Sequence, residues 1–164
     1  RMDLPSAQPV VAQPSSTLEA GDPATVVRVV DGDTIVVRRD GQEETVRLLN
    51  IDTPETKHPS KAVQCLGPEA TDLLESLLEP GDDVVLRYDK ERTDRYGRTL
   101  AYVWSGPILI NYELVAGGWA REFTYARPTA HTAALRAAQG AARADGYGLW
   151  APAGCNGVTD KAGA

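Results

Sequence analysis

Three short segments carry carboxylates and arginines in places where a β-strand has little use for them. In VVRVVDGDTIVV, residues 26–37, valines flank Asp31-Gly32, a dipeptide suited to the tight turn of a hairpin. Asp33 follows where the second strand is expected to begin, although aspartate is a poor strand former and costly to bury without a partner. In VRLLNIDTPET, residues 46–56, Arg47 lies on a strand pattern, Asp52, Thr53 and Glu55 crowd its end, and Pro54 stops the ladder. In RTDRYGRTLAYVW, residues 92–104, Arg98 opens a strand just after the Tyr96-Gly97 turn.

Each segment alone has an ordinary explanation. An aspartate at a turn caps backbone amides, Thr-Pro-Glu starts a turn or helix, and an arginine on a strand is a solvated edge charge. Taken together they form a chemical set. Carboxylates at strand ends offer hard oxygen ligands, which suit Ca²⁺ or Mg²⁺ rather than zinc or copper. Two arginines offer planar forks that match a phosphate, and Glu55 is a spare carboxylate able to take a proton from water. Metal, clamp and base are what phosphodiester hydrolysis requires.

The elements that must hold these residues are short. Alternation predicts strands near 25–31, 33–39, 44–51, 83–89 and 98–105, with Asp40-Gly41 joining the second to the third. Pro68 fits a first helical position, and Ala70, Leu73, Leu74, Leu77 and Leu78 follow at helical spacing until Pro80-Gly81. A short helix is expected from Tyr112 to Ala116, capped by Asn111, and an alanine-rich one over 129–144. This is an α+β chain whose strand count and order fit a five-stranded OB-fold β-barrel with three α-helices. Residues 1–23, rich in Pro, Ser and Gln, read as a flexible segment, the spacer left after a signal peptide or a tether. The domain is expected over 24–152, followed by a tail over 153–164.

A net charge of −6 argues mildly against a broadly polyanion-binding surface. No apolar run reaches the roughly 18 residues of a membrane span. Two cysteines, Cys65 and Cys155, and two distant histidines make no zinc pattern. The thiols are two reduced core residues or one disulfide. The disulfide is the reading that suits an extracellular tether, and it would pin the tail.

VVDGDT, VRLLNIDTPETKHP, GPEA and RTDRYGRTLAYVW, in this order and at these intervals, closely resemble the staphylococcal nuclease (thermonuclease) family, over about Val26 to Trp150. The resemblance implies a Ca²⁺-dependent endonuclease and exonuclease that acts on DNA and RNA and leaves 3′-phosphates. Asp33 and Asp52 match the family's calcium-binding carboxylates, Thr53 the residue whose carbonyl completes the protein ligands, and Asp31 a supporting position beside the metal. Glu55 matches the proposed general base, and Arg47 and Arg98 the phosphate clamp. Arg95 and Tyr96 match positions that approach nucleotide phosphates, and Leu100 one that lines the base pocket. Lys57 and Lys61 lie on the loop beside the site, where solvated lysines are the competing reading. The family's two tyrosines after the second helix have no ungapped counterpart in WAREFTYARP, and a shift of one or two residues brings Phe123 or Tyr125 there.

The expectation is therefore a secreted or envelope-associated bacterial monomer with Ca²⁺ as cofactor. Its partners are DNA and RNA, single-stranded or unwound in preference to duplex. Two other readings compete: an OB-fold module that binds single strands without cutting, and a calcium-stabilised structural domain. The first should lack ligands or arginines, and the second leaves the arginine pair unexplained.

Overall fold

Val26, Ile35, Val37, Val46, Leu86 and Val103 are 2% exposed or less, while Arg38, Arg47 and Arg87 beside them keep contact with solvent. The strands that carry these residues must therefore curl around a shared interior. The computed structural model describes residues 21–54, 65–125, 127–152, 154, 155 and 157. In chain order the elements are β1 (Asp22–Asp31), β2 (Thr34–Arg39), β3 (Gln42–Leu48), β4 (Ile51–Asp52), α1 (Gly67–Leu77), β5 (Asp83–Arg87), β6 (Thr99–Ser105), β7 (Ile108–Leu109), α2 (Ile110–Ala116), β8 (Arg121–Glu122) and α3 (Thr132–Asp145). A 3₁₀ turn at Gly148–Trp150 follows.

The sheet runs β3-β2-β1-β5-β6, and a parallel pairing of Val46–Leu48 with Thr99–Ala101 joins β3 to β6 and closes the barrel. β1 serves two partners. Residues 22–25 pair with β5, and two register shifts, between Val26 and Arg28 and between Val29 and Asp31, bend it along β2. α1 buries Ala70, Leu73, Leu74 and Leu77 and packs on β1, while α2 and α3 pack on each other. The expected α+β barrel with three helices is the observed fold.

Two local expectations are corrected. Asp40-Gly41 makes the anticipated hairpin turn, with φ of 53° and 80°, but Asp31-Gly32 does not. Asp31 is the last residue of β1 and pairs with Thr34, so Gly32 and Asp33 form the turn. Gly32 is not left-handed; a Cβ there would lie 2.7 Å from Thr53 Oγ1 and 2.9 Å from Thr53 Cβ, so its role is to admit Thr53. Asp33 is thus a turn residue held under the β3–β4 corner.

Asn111 is not a helix cap either. Leu109 occupies that place, and the fully buried Asn111 side chain accepts the Val103 N–H at 2.9 Å and donates to Leu49 O at 2.9 Å and Ala101 O at 3.3 Å. The chain after β3 leaves the ladder at Leu49, and the strand groups left open there are buried. Satisfying them outweighs a cap, since an unpaired buried backbone group costs about 1–3 kcal/mol.

Candidate active site

The corner between β3 and β4 does most of the positioning. Asn50 turns it in the left-handed conformation, with φ of 62°, which asparagine tolerates better than most residues. Its side chain donates to Tyr102 Oη at 2.9 Å and to Thr129 Oγ1, and its carbonyl accepts the Phe123 N–H at 2.8 Å. β4 then pairs with β8, Ile51 facing Glu122 and Asp52 facing Arg121. This small second sheet fixes where Asp52 stands.

Arg47, near the end of β3, reaches back across the corner. Its Nη1 donates to Leu48 O at 2.7 Å and Ile51 O at 2.8 Å. Its Nη2 lies 3.3 Å from Asp33 Oδ2 and 3.4 Å from Asp52 Oδ1, so one nitrogen bridges both carboxylates. Asp33 is 7% exposed; its Oδ2 accepts the Thr53 N–H at 3.1 Å and its Oδ1 the Thr34 hydroxyl at 3.0 Å. The Asp33 N–H donates to Asp31 Oδ1 at 3.2 Å, which places Asp31 as a support for the turn. Burial pushes the Asp33 carboxyl up, but Arg47, Asp31, Thr53 and Thr34 outweigh it and hold it below the usual carboxylate range. It is an anion in a buried place.

These contacts test the site for a metal. A cationic nitrogen already rests between the Asp33 and Asp52 carboxylates, the place a cation shared by both would take. Among the described residues no cluster of three or more His, Cys, Asp or Glu forms, so a cation at this corner would find two carboxylates and backbone oxygen. Such a sparse all-oxygen set fits a hard, partly hydrated divalent ion.

Arg98 stands one strand away. Thr99 pairs with Val46 and Leu100 with Arg47, so Arg98 enters β6 alongside β3. Its Nε donates to Asp94 Oδ2 at 2.7 Å, so Asp94 rather than the acid pair of the corner holds it. Asp94 is absent from the sequence expectations, yet it organises this end of the site. Its Oδ1 accepts the N–H groups of Tyr96 and Arg98, both at 2.9 Å, the side-chain turn that T-D-R-Y-G-R encodes. Burial raises the Asp94 carboxyl, and the Arg98 and Tyr96 donors more than reverse this, leaving it below its ordinary value. Arg95 and Tyr96 are exposed beyond that turn and bond each other at 2.8 Å.

A cavity of about 160 Å³ brings Leu100 and Tyr125 together with Leu49, Asn50, Lys90 and Thr129. Tyr125 is 79% exposed, and Phe123 lies 6.4 Å from it, ring to ring. The structure thus gathers Asp31, Asp33, Arg47, Asp52 and Thr53 at one corner, sets Arg98 immediately before the adjoining strand β6, and places Leu100 and Tyr125 in a neighbouring pocket. Glu55, Lys57 and Lys61 lie outside the described residues. Cys65 and Cys155 form a disulfide with Cα atoms 5.9 Å apart.

A closed five-stranded barrel of this order, with a helix between the third and fourth barrel strands, is an OB-fold domain, a class that presents ligand sites on its strands and loops. Residues 45–152 match the family described as staphylococcal nuclease homologue, a span that includes Arg47, Asp52, Thr53, Glu55 and Arg98. The chain belongs to the staphylococcal nuclease family. It is similar to a thermonuclease of Staphylococcus intermedius, 41% identical over 136 residues, which are 83% of this chain and 80% of that one. A thermonuclease of Staphylococcus hyicus is 48% identical over 100 residues, 61% of this chain and 59% of that protein. Endonuclease YncB of Bacillus subtilis is 37% identical over 132 residues, 79% of this chain and 62% of that protein.

Proposed function

We propose that this protein is a Ca²⁺-dependent phosphodiesterase that hydrolyses DNA and RNA and leaves 3′-phosphate ends. The observation that carries the proposal is Arg47 Nη2 held between Asp33 and Asp52, a guanidinium suited to phosphate next to two carboxylates suited to a cation. Asp33, Asp52 and the Thr53 carbonyl would hold the ion, which when bound neutralises charge on the phosphate and orders water near it.

The chain's own residues supply the remaining parts. Arg47 turns part of its fork toward the phosphate and stabilises charge growing on five-coordinate phosphorus. The Nη atoms of Arg98 have no hydrogen-bond partner among the described residues, because Asp94 holds the guanidinium by Nε. They complete a two-sided clamp. Water attacks phosphorus in line and gives its proton to Glu55, or is oriented by it. The bond to the 5′-oxygen breaks, and that oxygen takes a proton from Arg98 or from solvent. Leu100 and Tyr125 seat a base beside the clamp, which favours single or unwound strands.

The relatives' names, thermonuclease and endonuclease, support this reading. A disulfide suits an oxidising compartment, so we place the protein outside the cytoplasm, secreted or at the envelope, as a monomer. The test is digestion of denatured DNA and of RNA with and without Ca²⁺, with the product ends analysed. Calcium-dependent cleavage to 3′-phosphates is expected, and Glu55→Gln should slow it by about 10²–10⁴-fold while the protein stays folded. Binding without cleavage at any calcium concentration would instead identify a non-catalytic strand-binding module.

A further inference from the structure

Beside β8 lies a second cluster that the proposed reaction does not use. The Trp150 ring has both Arg121 and Arg143 over it, each guanidinium carbon 4.9 Å from the ring centroid. They border an open cleft of about 410 Å³ with Gln139 and Gly157. Among the described residues neither arginine pairs with a carboxylate. Arg121 donates one nitrogen to Gly157 O, and Arg143 has no side-chain hydrogen bond to another described residue. Gln139 accepts the Glu122 N–H through its oxygen at 2.8 Å, which leaves its amide NH₂ for the cleft. The Trp150 Nε1 is also buried without an acceptor. Every polar side chain brought here has a donor to spare.

We propose that this cleft is an accessory anion site that takes a phosphate of the nucleic-acid strand beyond the bond being cut. Three observations point to that occupant. In a chain of net charge −6, Arg38, Arg39, Arg47, Arg98 and Arg136 face carboxylates, whereas Arg121 and Arg143 line one cleft over one ring with no carboxylate partner among the described residues, which concentrates positive charge at a single place. Both are arginines stacked on one aromatic ring, which fixes the planar forks in the geometry that phosphate oxygens accept. Finally, Arg121 is the direct ladder partner of Asp52. Facing Cα atoms in such a ladder are about 4.5–5.5 Å apart, so the cleft begins next to the acid corner. The site rests on the proposed function for its occupant, since a polymer engaged at Arg47 carries flanking phosphates that need countercharge.

The test uses a labelled oligothymidylate, about twelve nucleotides long, bound in EDTA so that it is not cut, at several salt concentrations. Arg121→Gln/Arg143→Gln should weaken binding about tenfold and make the slope of log K against log salt shallower by about 0.7, the value for one phosphate that is no longer neutralised. Arg143→Gln alone should give half that slope change, and it removes no side-chain hydrogen bond to another described residue. With Ca²⁺, both variants should raise KM for long single strands, leave kcat unchanged, and leave hydrolysis of a single-nucleotide p-nitrophenyl ester as in wild type. An unchanged salt slope overturns the proposal. So does an equal loss on the small ester, because the arginines would then act through the corner. Wild-type binding that these variants weaken, in a protein that cuts nothing, would sink the nuclease reading and keep this one.

Discussion

Asp33→Asn separates the two jobs of the buried carboxylate. The amide has the same shape, and its best orientation follows from the contacts. Its carbonyl takes the place of Oδ2, facing the Thr53 N–H and Arg47, and its NH₂ faces the Thr34 hydroxyl, which rotates to accept. The hydrogen bonds persist and only the charge is removed. A bond to a charged group is worth about 1.5–3 kcal/mol and a neutral one about 0.5–1.5. Arg47 keeps Leu48 O, Ile51 O and Asp52, so the expected stability loss is about 1–2 kcal/mol. Holding a cation is different. A pair of unit charges at about 4 Å is worth about 4 kcal/mol at an effective dielectric of about 20. A divalent ion doubles that, and if dehydration cancels two thirds, about 2.7 kcal/mol remains, or about a hundredfold in affinity. Urea midpoints in EDTA read the first quantity, and calcium titration of denatured-DNA cleavage reads the second. A calcium half-point within about threefold of wild type would remove Asp33 from the ion. A stability loss above about 4 kcal/mol would make its charge a structural counterweight to Arg47.

Asp94→Ala releases the Arg98 fork and undoes its turn, and should lower kcat by about a hundredfold, the scale of a misplaced clamp; a wild-type rate would show that Arg98 needs no such support. Because the folded Asp94 carboxyl sits below its ordinary value, its contribution is present above that value and fades as pH falls through the lower one, so Asp94→Asn should flatten the acid limb of stability against pH. Burial and then its bond to Asp22 push the Tyr88 phenol to about 12; stability from the protonated phenol should hold to about pH 10 and be lost as pH rises through 12, as phenolate absorbance in wild type and Tyr88→Phe will show. Reducing Cys65–Cys155, which spans 90 residues, should cost about 4–5 kcal/mol in the chain-entropy estimate, read as a lower urea midpoint, and equal midpoints with and without reductant would refute that value.

The strands were legible because Val26, Ile35, Val37 and Val46 alternate, and α1 because its leucines repeat at helical spacing. The acid–arginine corner was legible as types out of place. What escaped was pairing at a distance. β4 and β8 are two residues each, too short for any period, and only the fold makes them a ladder. Asn111 looked like a cap because its use lies on backbone groups of Leu49, 62 residues back, and of Ala101 on β6, a meeting that only the fold brings about. Gly32 looked like a hairpin glycine because the Thr53 side chain it admits arrives from the chain just past β4. Asp94 was the readable omission, since its turn is encoded between Asp94 and Arg98.

The disulfide divides the molecule into a covalent ring and a free arm. Everything from Cys65 to Cys155, which includes α1, β5, β6 and Arg98, lies in the ring. The arm is β1 through β4, with Asp33, Arg47 and Asp52. One peptide cleavage between Asp52 and Cys65 would leave two pieces held together only by non-covalent contacts, strand pairing and the shared core, with acids and one clamp arginine on one piece and the second on the other. A cleavage inside the ring would leave a single covalent molecule. The same bond that ties down the tail leaves the halves of the clamp joined through a single stretch of chain.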